Sequence, residues 1–280
     1  MNKIICITGA SSGVGLATAL TFAKNGWSVY AGTRNLERDQ ALYAAEENLH
    51  FLEIDVVDPA SIERAMRVIS DEQGRIDLLF CNAGFGFIRT LGQASFEQIQ
   101  SVFDTNVYGV MHTIRAALPL LTQAESGHIV ATSSVGGLVG QPLNEIYCAS
   151  KFAVEGLLES LATYYKPLFN IDVTLIEPGA IATQFVQTAM DQVAQTGGVL
   201  DDEYKPIVQT YIDSFTKRNA VPQTPESIAD LMLELTRMEI KPLRLRTSEA
   251  AERFVHHKVQ EDPTGLQGIA QTRRIQLGIE

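Results

Sequence analysis

Tyr147 and Lys151 stand four residues apart in Tyr-Cys-Ala-Ser-Lys, inside a strongly helical stretch. That spacing puts both side chains on one helix face, one turn apart. A free phenol titrates near ~10, too high for efficient acid–base work at neutral pH. A nearby ammonium favours the phenolate and lowers that value. The pair alone is a weak signal, because a tyrosine packed on a lysine stem has the same spacing. Two further features strengthen it. Ser134 precedes Tyr147 by one loop and ends an apolar run with Ser133, at the strand end where open α/β sheets bind ligands. Its hydroxyl would hold a substrate oxygen against the phenol; the alternative is that the two serines only cap the strand. Asn106 lies among Val102, Phe103 and Val107, where an amide costs free energy unless satisfied. It either bridges a water to a helix carbonyl or makes that water part of a proton path to Lys151.

A second chemical feature lies near the start, in Thr8-Gly9-Ala10-Ser11-Ser12-Gly13-Val14-Gly15. A strand turning sharply into a helix exposes backbone N–H groups and the positive end of the helix dipole, a site for phosphate. Gly9 permits the turn, Gly13 the approach of a pyrophosphate, and Gly15 close helix–sheet contact. The spacing differs from the usual dinucleotide fingerprint, but its position after a first strand favours nucleotide binding over a purely structural turn. The second strand ends Gly32-Thr33-Arg34-Asn35, with no carboxylate where an NAD ribose would need one. The Arg34 guanidinium would pair with a 2′-phosphate as a forked donor, and Ser11 could add a hydroxyl. The sequence therefore favours NADP(H) over NAD(H); the competing reading of Arg34 is a solvated arginine balanced by Glu37.

Positioning these groups needs a sheet, and the pattern supplies one. Apolar runs at 3–8, 27–33, 49–55, 76–82, 128–133 and 171–176 read as strands, with a short one at 242–247. Helical patterns follow the glycine turn and start at Asp58-Pro59, at Ser95-x-x-Gln98 (a capping box running to Leu120), at 146–165 and at 225–238. Strands apolar throughout, alternating with helices, predict a doubly wound, mostly parallel Rossmann-type sheet with helices on both faces. One domain over residues 1–280 is expected. Polar residues 184–223, with Gly197-Gly198 between two helical stretches, form an excursion that would act as a lid, and 248–280 form a charged C-terminal extension ending in irregular structure.

Composition bounds the function. Of 280 residues 45% are hydrophobic and 20% charged, as in an ordinary globular protein. A net charge of −11, from 22 basic and 33 acidic residues, argues against nucleic acid or anionic membranes as partners. No apolar stretch approaches the about 20 residues that span a bilayer, so no transmembrane segment is expected. Cys6, Cys81 and Cys148 lack any C-x-x-C spacing and read as reduced thiols of a soluble cytoplasmic protein. The five histidines form no ligand cluster with them, so no metal site is expected.

Jointly, Thr8–Gly15, Asp55, Asn82-Ala83-Gly84, Asn106, Ser134, Tyr147-x-x-x-Lys151 and Pro178-Gly179-x-x-x-Thr183 resemble the short-chain dehydrogenase/reductase family over residues 3–247. The pattern departs at Cys81, where the family more commonly has Asn. The resemblance implies that Ser134 orients the substrate oxygen and Tyr147 moves the hydroxyl proton. Lys151 would lower the phenol pKa and bind the nicotinamide ribose, and Asn106 would anchor a relay water. It places Gly9, Ser11, Ser12, Gly13, Val14, Gly15, Arg34, Asp55, Val56, Asn82, Ala83, Gly84, Tyr147, Lys151, Pro178, Gly179 and Thr183 at the cofactor. Tyr147–Ser160 and the tail, with Leu243-Arg244 and 262–265, are similar to the estradiol-type 17β-hydroxysteroid and retinol dehydrogenase branch. That implies a hydrophobic alcohol or carbonyl substrate and a homodimer or homotetramer. Phe85, Phe87, Val135, Leu138, Val139, Leu143 and Phe185 would line such a cleft, a core role being the alternative for each. A non-catalytic NADP(H)-binding sensor or scaffold on the same fold would need a broken catalytic set, and here the set is intact.

Overall fold

The computed structural model describes residues 2–216, 221–261, 274, 275 and 278. Its chain runs β1 (Ile4–Ile7), α1 (Gly13–Lys24), β2 (Ser28–Thr33), α2 (Leu36–Leu42), β3 (Leu49–Glu53), α3 (Pro59–Gln73) and β4 (Leu78–Cys81). There follow α4 (Phe96–Phe103), a π-turn (Asp104–Tyr108), α5 (Gly109–Leu121), β5 (Gly127–Thr132), α6 (Glu145–Phe169) and β6 (Ile171–Glu177). The last elements are α7 (Phe185–Gln195), α8 (Lys205–Thr216), α9 (Pro225–Arg237), β7 (Arg244–Arg246) and α10 (Glu249–His256).

The seven strands form one parallel sheet in the order β3-β2-β1-β4-β5-β6-β7. Both faces are buried, which explains the unbroken apolar runs. Ile4 and Cys6 point into the layer holding Ile62 and Ile69 of α3, Ile114 of α5 and Val154 of α6. Ile5 and Ile7 point the other way, to Phe22 of α1 and Met232 of α9. The strand order reverses between β1 and β4, and the crevice at that reversal lies where such sheets hold ligands.

Three local features depart from the sequence reading. Helix α2 escapes the pattern because it is short, exposed and buries only Asp39; its signal is the Asn35 cap, whose side chain accepts from the Arg38 N–H at 3.2 Å. Helix α6 continues through Pro167 in its final turn and ends on Asn170 in the left-handed region. The extension opens with a helix that the sequence reading did not assign: α10 is capped by Ser248 and buries Ala251 and Val255. The stretch 262–265, used for the branch resemblance, and residues 217–220 of the excursion lie outside the described residues. The capping box at Ser95 and Gln98 forms as expected, with both reciprocal bonds. Among the described residues, no helix is long and apolar enough to cross a membrane.

Candidate active site

The glycine turn is built around contacts that exclude side chains. Gly9 has φ +66°, and a Cβ there would lie 2.8 Å from Ala83 Cα. Gly13 has φ +54° and faces the Thr183 methyl, 3.3 Å from where a Cβ would stand. Gly15 lies flush against the Gly9 carbonyl and the Asn82 amide. Helix α1 opens with the exposed Ser12 as N-cap, yet Ser12 makes no side-chain cap bond and the first turn carries no acid. Its amides and dipole are therefore presented to an anionic ligand. Ser11 stands at the turn's rim, and the buried Val14 anchors the helix to the sheet. This cradle, too narrow for any Cβ, fits the pyrophosphate of a nicotinamide dinucleotide.

Hydrogen bonds stitch the cradle to the next strands. Thr8 Oγ1 accepts from the Asn82 and Ala83 N–H groups, both at 3.1 Å. Asn82 Nδ2 donates to the Thr8 and Gly9 carbonyls at 3.3 and 3.1 Å, and its Oδ1 accepts from Thr132 Oγ1 at 3.2 Å. Asn82 thus spends its amide on joining β1, β4 and β5. Gly84 follows in the open, where a Cβ would meet Asn106 Oδ1 and Lys151 Nζ.

At the far end of the crevice, Arg34 is exposed and forms no ion pair, with Glu37 or otherwise, among the described residues. Neighbouring Arg38 instead grips Asp39 through two bonds of 2.7 and 3.0 Å. Asp39 is buried under the end of β2 and also accepts from Thr33 Oγ1; Arg38 beside it holds its carboxyl below the usual range. Asp55 is half-buried, its Oδ1 accepting from the Val57 N–H, and Val56 packs against Gly109.

Tyr147, Lys151, Ser134 and Asn106 are all buried. Lys151 Nζ donates to the Thr132 carbonyl at 2.8 Å and lies 5.8 Å from the Tyr147 ring centre. The Ser134 hydroxyl accepts from the Gly136 N–H at 3.0 Å, and its influence on the phenol lowers the Tyr147 pKa against the effect of burial. Asn106 sits in the π-turn, where Gly109 N–H reaches back five residues to the Asp104 carbonyl. Its amide is satisfied by protein alone: Oδ1 accepts from Phe85 N–H, and Nδ2 donates to Phe85 O and Ser150 Oγ. It braces the loop after Gly84 against α6.

The protonation of the pair differs from the sequence expectation. Burial pushes the Tyr147 phenol up to about 12, with the Ser134 hydrogen bond pulling the other way. Burial brings the Lys151 amine down to about 8, opposed by the Glu155 carboxylate. The chain by itself therefore presents a protonated phenol beside a readily discharged amine.

The wall opposite α6 comes from the segment after β6. Pro178 O accepts from Val135 N–H, Gly179 follows, and Thr183 Oγ1 accepts from Phe185 N–H. The Phe185 ring meets Tyr147 edge-on at 5.6 Å and fills the space beside Gly86. Of the expected cleft residues, Phe87, Val139 and Leu143 are buried, while Phe185 is 39% exposed. Thr132, Asp39 and Arg89 were not singled out from sequence, and local pattern carries no sign of any of them.

Residues 3–194 match the family described as short chain dehydrogenase. The chain is 35% identical over 280 residues to 17-beta-hydroxysteroid dehydrogenase type 1 of Mus musculus, covering 95% of this chain and 79% of that one. It is 33% identical over 274 residues to retinol dehydrogenase 8 of Bos taurus, covering 94% and 86%. A crystal structure of a short-chain dehydrogenase from Streptomyces avermitilis matches with a TM-score of 0.81 and 28% identity, over 98% of each chain.

Proposed function

The chain belongs to the short-chain dehydrogenase family, and on that premise we propose that it is an NADP(H)-dependent oxidoreductase interconverting a hydrophobic alcohol and its ketone or aldehyde. The observation that carries this is the buried Tyr147, one helix turn from Lys151 on α6, with Lys151 Nζ beside Gly84 and the neighbouring Ala83 packed on Gly9 of the cradle. The cradle, Arg34, Asp55, Val56, Asn82, Ala83, Gly84, Pro178, Gly179 and Thr183 would hold the nicotinamide cofactor. Bound there, it would supply or accept a hydride.

Ser134 holds the substrate oxygen beside the phenol. In reduction Tyr147 donates its proton to that oxygen; in oxidation it takes the alcohol proton. A phenol held near 12 keeps its proton at neutral pH, the form that can donate to a carbonyl oxygen. Carbonyl reduction should stay level through neutral pH and fall on the alkaline side as Tyr147 ionises, measured as a kcat/KM profile. Lys151 orients the phenol and carries charge that burial makes easy to lose.

The apolar wall of Phe87, Val139, Leu143 and Phe185, and the two vertebrate relatives' steroid and retinol names, support a hydrophobic substrate. Residues 184–223 serve as the lid of a single domain. Exposed Tyr108, Met111 and Phe152 on neighbouring surfaces of the π-turn, α5 and α6 support a homo-oligomer. The deciding experiment is Tyr147→Phe: turnover should drop at least about a hundredfold, the usual worth of a general acid, with cofactor fluorescence titration unchanged. Full activity in that variant would remove Tyr147 from proton transfer.

A further inference from the structure

We infer that Arg89 is a positioning residue: it pins the end of α7 to the loop 85–94 and so holds the cleft wall, Phe185 included, over Tyr147 before substrate arrives. The inference rests on the oxidoreductase reading above.

Arg89 is 5% exposed and forms no ion pair among the described residues. Its guanidinium donates Nη1 to Gly198 O at 2.8 Å, and Nη2 to Val193 O, Thr196 O and Thr196 Oγ1 at 3.0, 2.8 and 2.5 Å. These are the last carbonyls of α7 and the turn beyond it, where a helix gathers partial negative charge. Gly197 and Gly198, at φ +97° and +66°, fold that turn so that its carbonyls converge on one cation. Burial lowers the guanidinium pKa and Asp202 opposes the shift, so the carbonyls do the work a carboxylate would otherwise do. With its donors spent inward, Arg89 leaves the cleft face apolar.

The backbone of Arg89 ties the same pin to the catalytic helix. Its N–H donates to Leu143 O at 2.9 Å, four residues before Tyr147. Leu143 is held at φ +61°, a left-handed conformation that leucine rarely adopts, with its side chain buried against Val208 and Tyr211 of α8. Asn144 Nδ2 reaches Tyr211 Oη at 3.2 Å. A second tie runs from Gln93 Nε2 to Asp202 at 2.8 and 3.1 Å. Loop 85–94, the approach to α6 and both lid helices are thereby one unit, with Arg89 at their junction.

The test compares Arg89→Ala and Arg89→Lys in the full chain with saturating NADPH and a neutral aromatic ketone. Arg89→Ala should raise KM about tenfold or more, a loss of roughly 1.4 kcal/mol per decade, while kcat changes less than about threefold and NADPH Kd is unchanged. Amide exchange over 185–204 should speed by about tenfold or more, as a released segment would. Arg89→Lys should recover part of the KM, as a point charge facing the same carbonyls. Unchanged KM with unchanged exchange overturns the inference. So does a parallel loss of NADPH affinity and thermal stability, which would make Arg89 a general structural residue. A KM increase confined to carboxylated substrates would make it a substrate anion site instead, and also overturns it. Should the unaltered protein reduce no carbonyl compound, the function reading fails, while exchange in Arg89→Ala still decides the pin.

Discussion

Two arginines within five residues show how one side chain's neighbours decide its use. Arg38 is locked on the buried Asp39, whereas Arg34 stands exposed at the end of β2. Only the second is available to a ribose 2′-phosphate. Arg34→Ala should therefore raise the NADPH Kd about tenfold to a hundredfold, the worth of a charge-assisted bond of roughly 1.5–3 kcal/mol, with little change for NADH; equal losses for both would count against the assignment. The exposed position of Arg34 was legible because a strand end followed by a basic residue is a local signal. Asp39 was not, since its burial depends on Thr33 and Arg38 converging in space. Arg89 was invisible for a stronger reason: its partners lie more than a hundred residues away.

Elements carry their own constraints. The parallel sheet follows from apolar runs of strand length, and the glycine turn from its place after β1, whereas the strand order emerges only from the paired register. The π-turn was legible only as an odd amide within a helix, because nothing local announces a five-residue reach-back. Helix α2 was missed because amphipathic periodicity needs a buried face, and this helix scarcely has one. Gly9 offers the sharpest test at this scale. A methyl there would meet Ala83 Cα at 2.8 Å from a backbone already at φ +66°. Gly9→Ala should cost about 1–3 kcal/mol of stability and weaken cofactor binding at least about tenfold, measured by thermal unfolding and fluorescence titration.

For the molecule as a whole, two buried groups pull stability in opposite directions with pH. His128 on β5 bonds Thr174 Oγ1 at 3.0 Å, and burial holds its pKa at about 3. Thr174 gives its own proton to Pro242 O, so His128 Nε2 is the donor to Thr174, and burial keeps the ring neutral. The unfolded chain takes that proton near 6.5, and stability falls as pH drops below 6.5, by up to about 1.4 kcal/mol per unit. Burial and Glu155 push Glu177 up to about 7, against the downward pull of the paired Arg246 and Arg244. It keeps a proton the unfolded chain has lost, so its share of stability falls as pH rises from about 4.5 to 7. The two slopes oppose each other between 4.5 and 6.5. In His128→Gln, urea midpoints should rise from pH 6.5 to 4.5 relative to the unaltered protein; parallel curves would show that His128 does not titrate in this way. A different consequence follows from Asn82, which joins residues 8, 9 and 132. A chain emerging from the ribosome has its glycine turn early, yet the Asn82 and Ala83 bonds that fasten Thr8 and Gly9 come only once β4 has been made. A shortened chain ending before residue 82 should therefore carry the turn without its clamp.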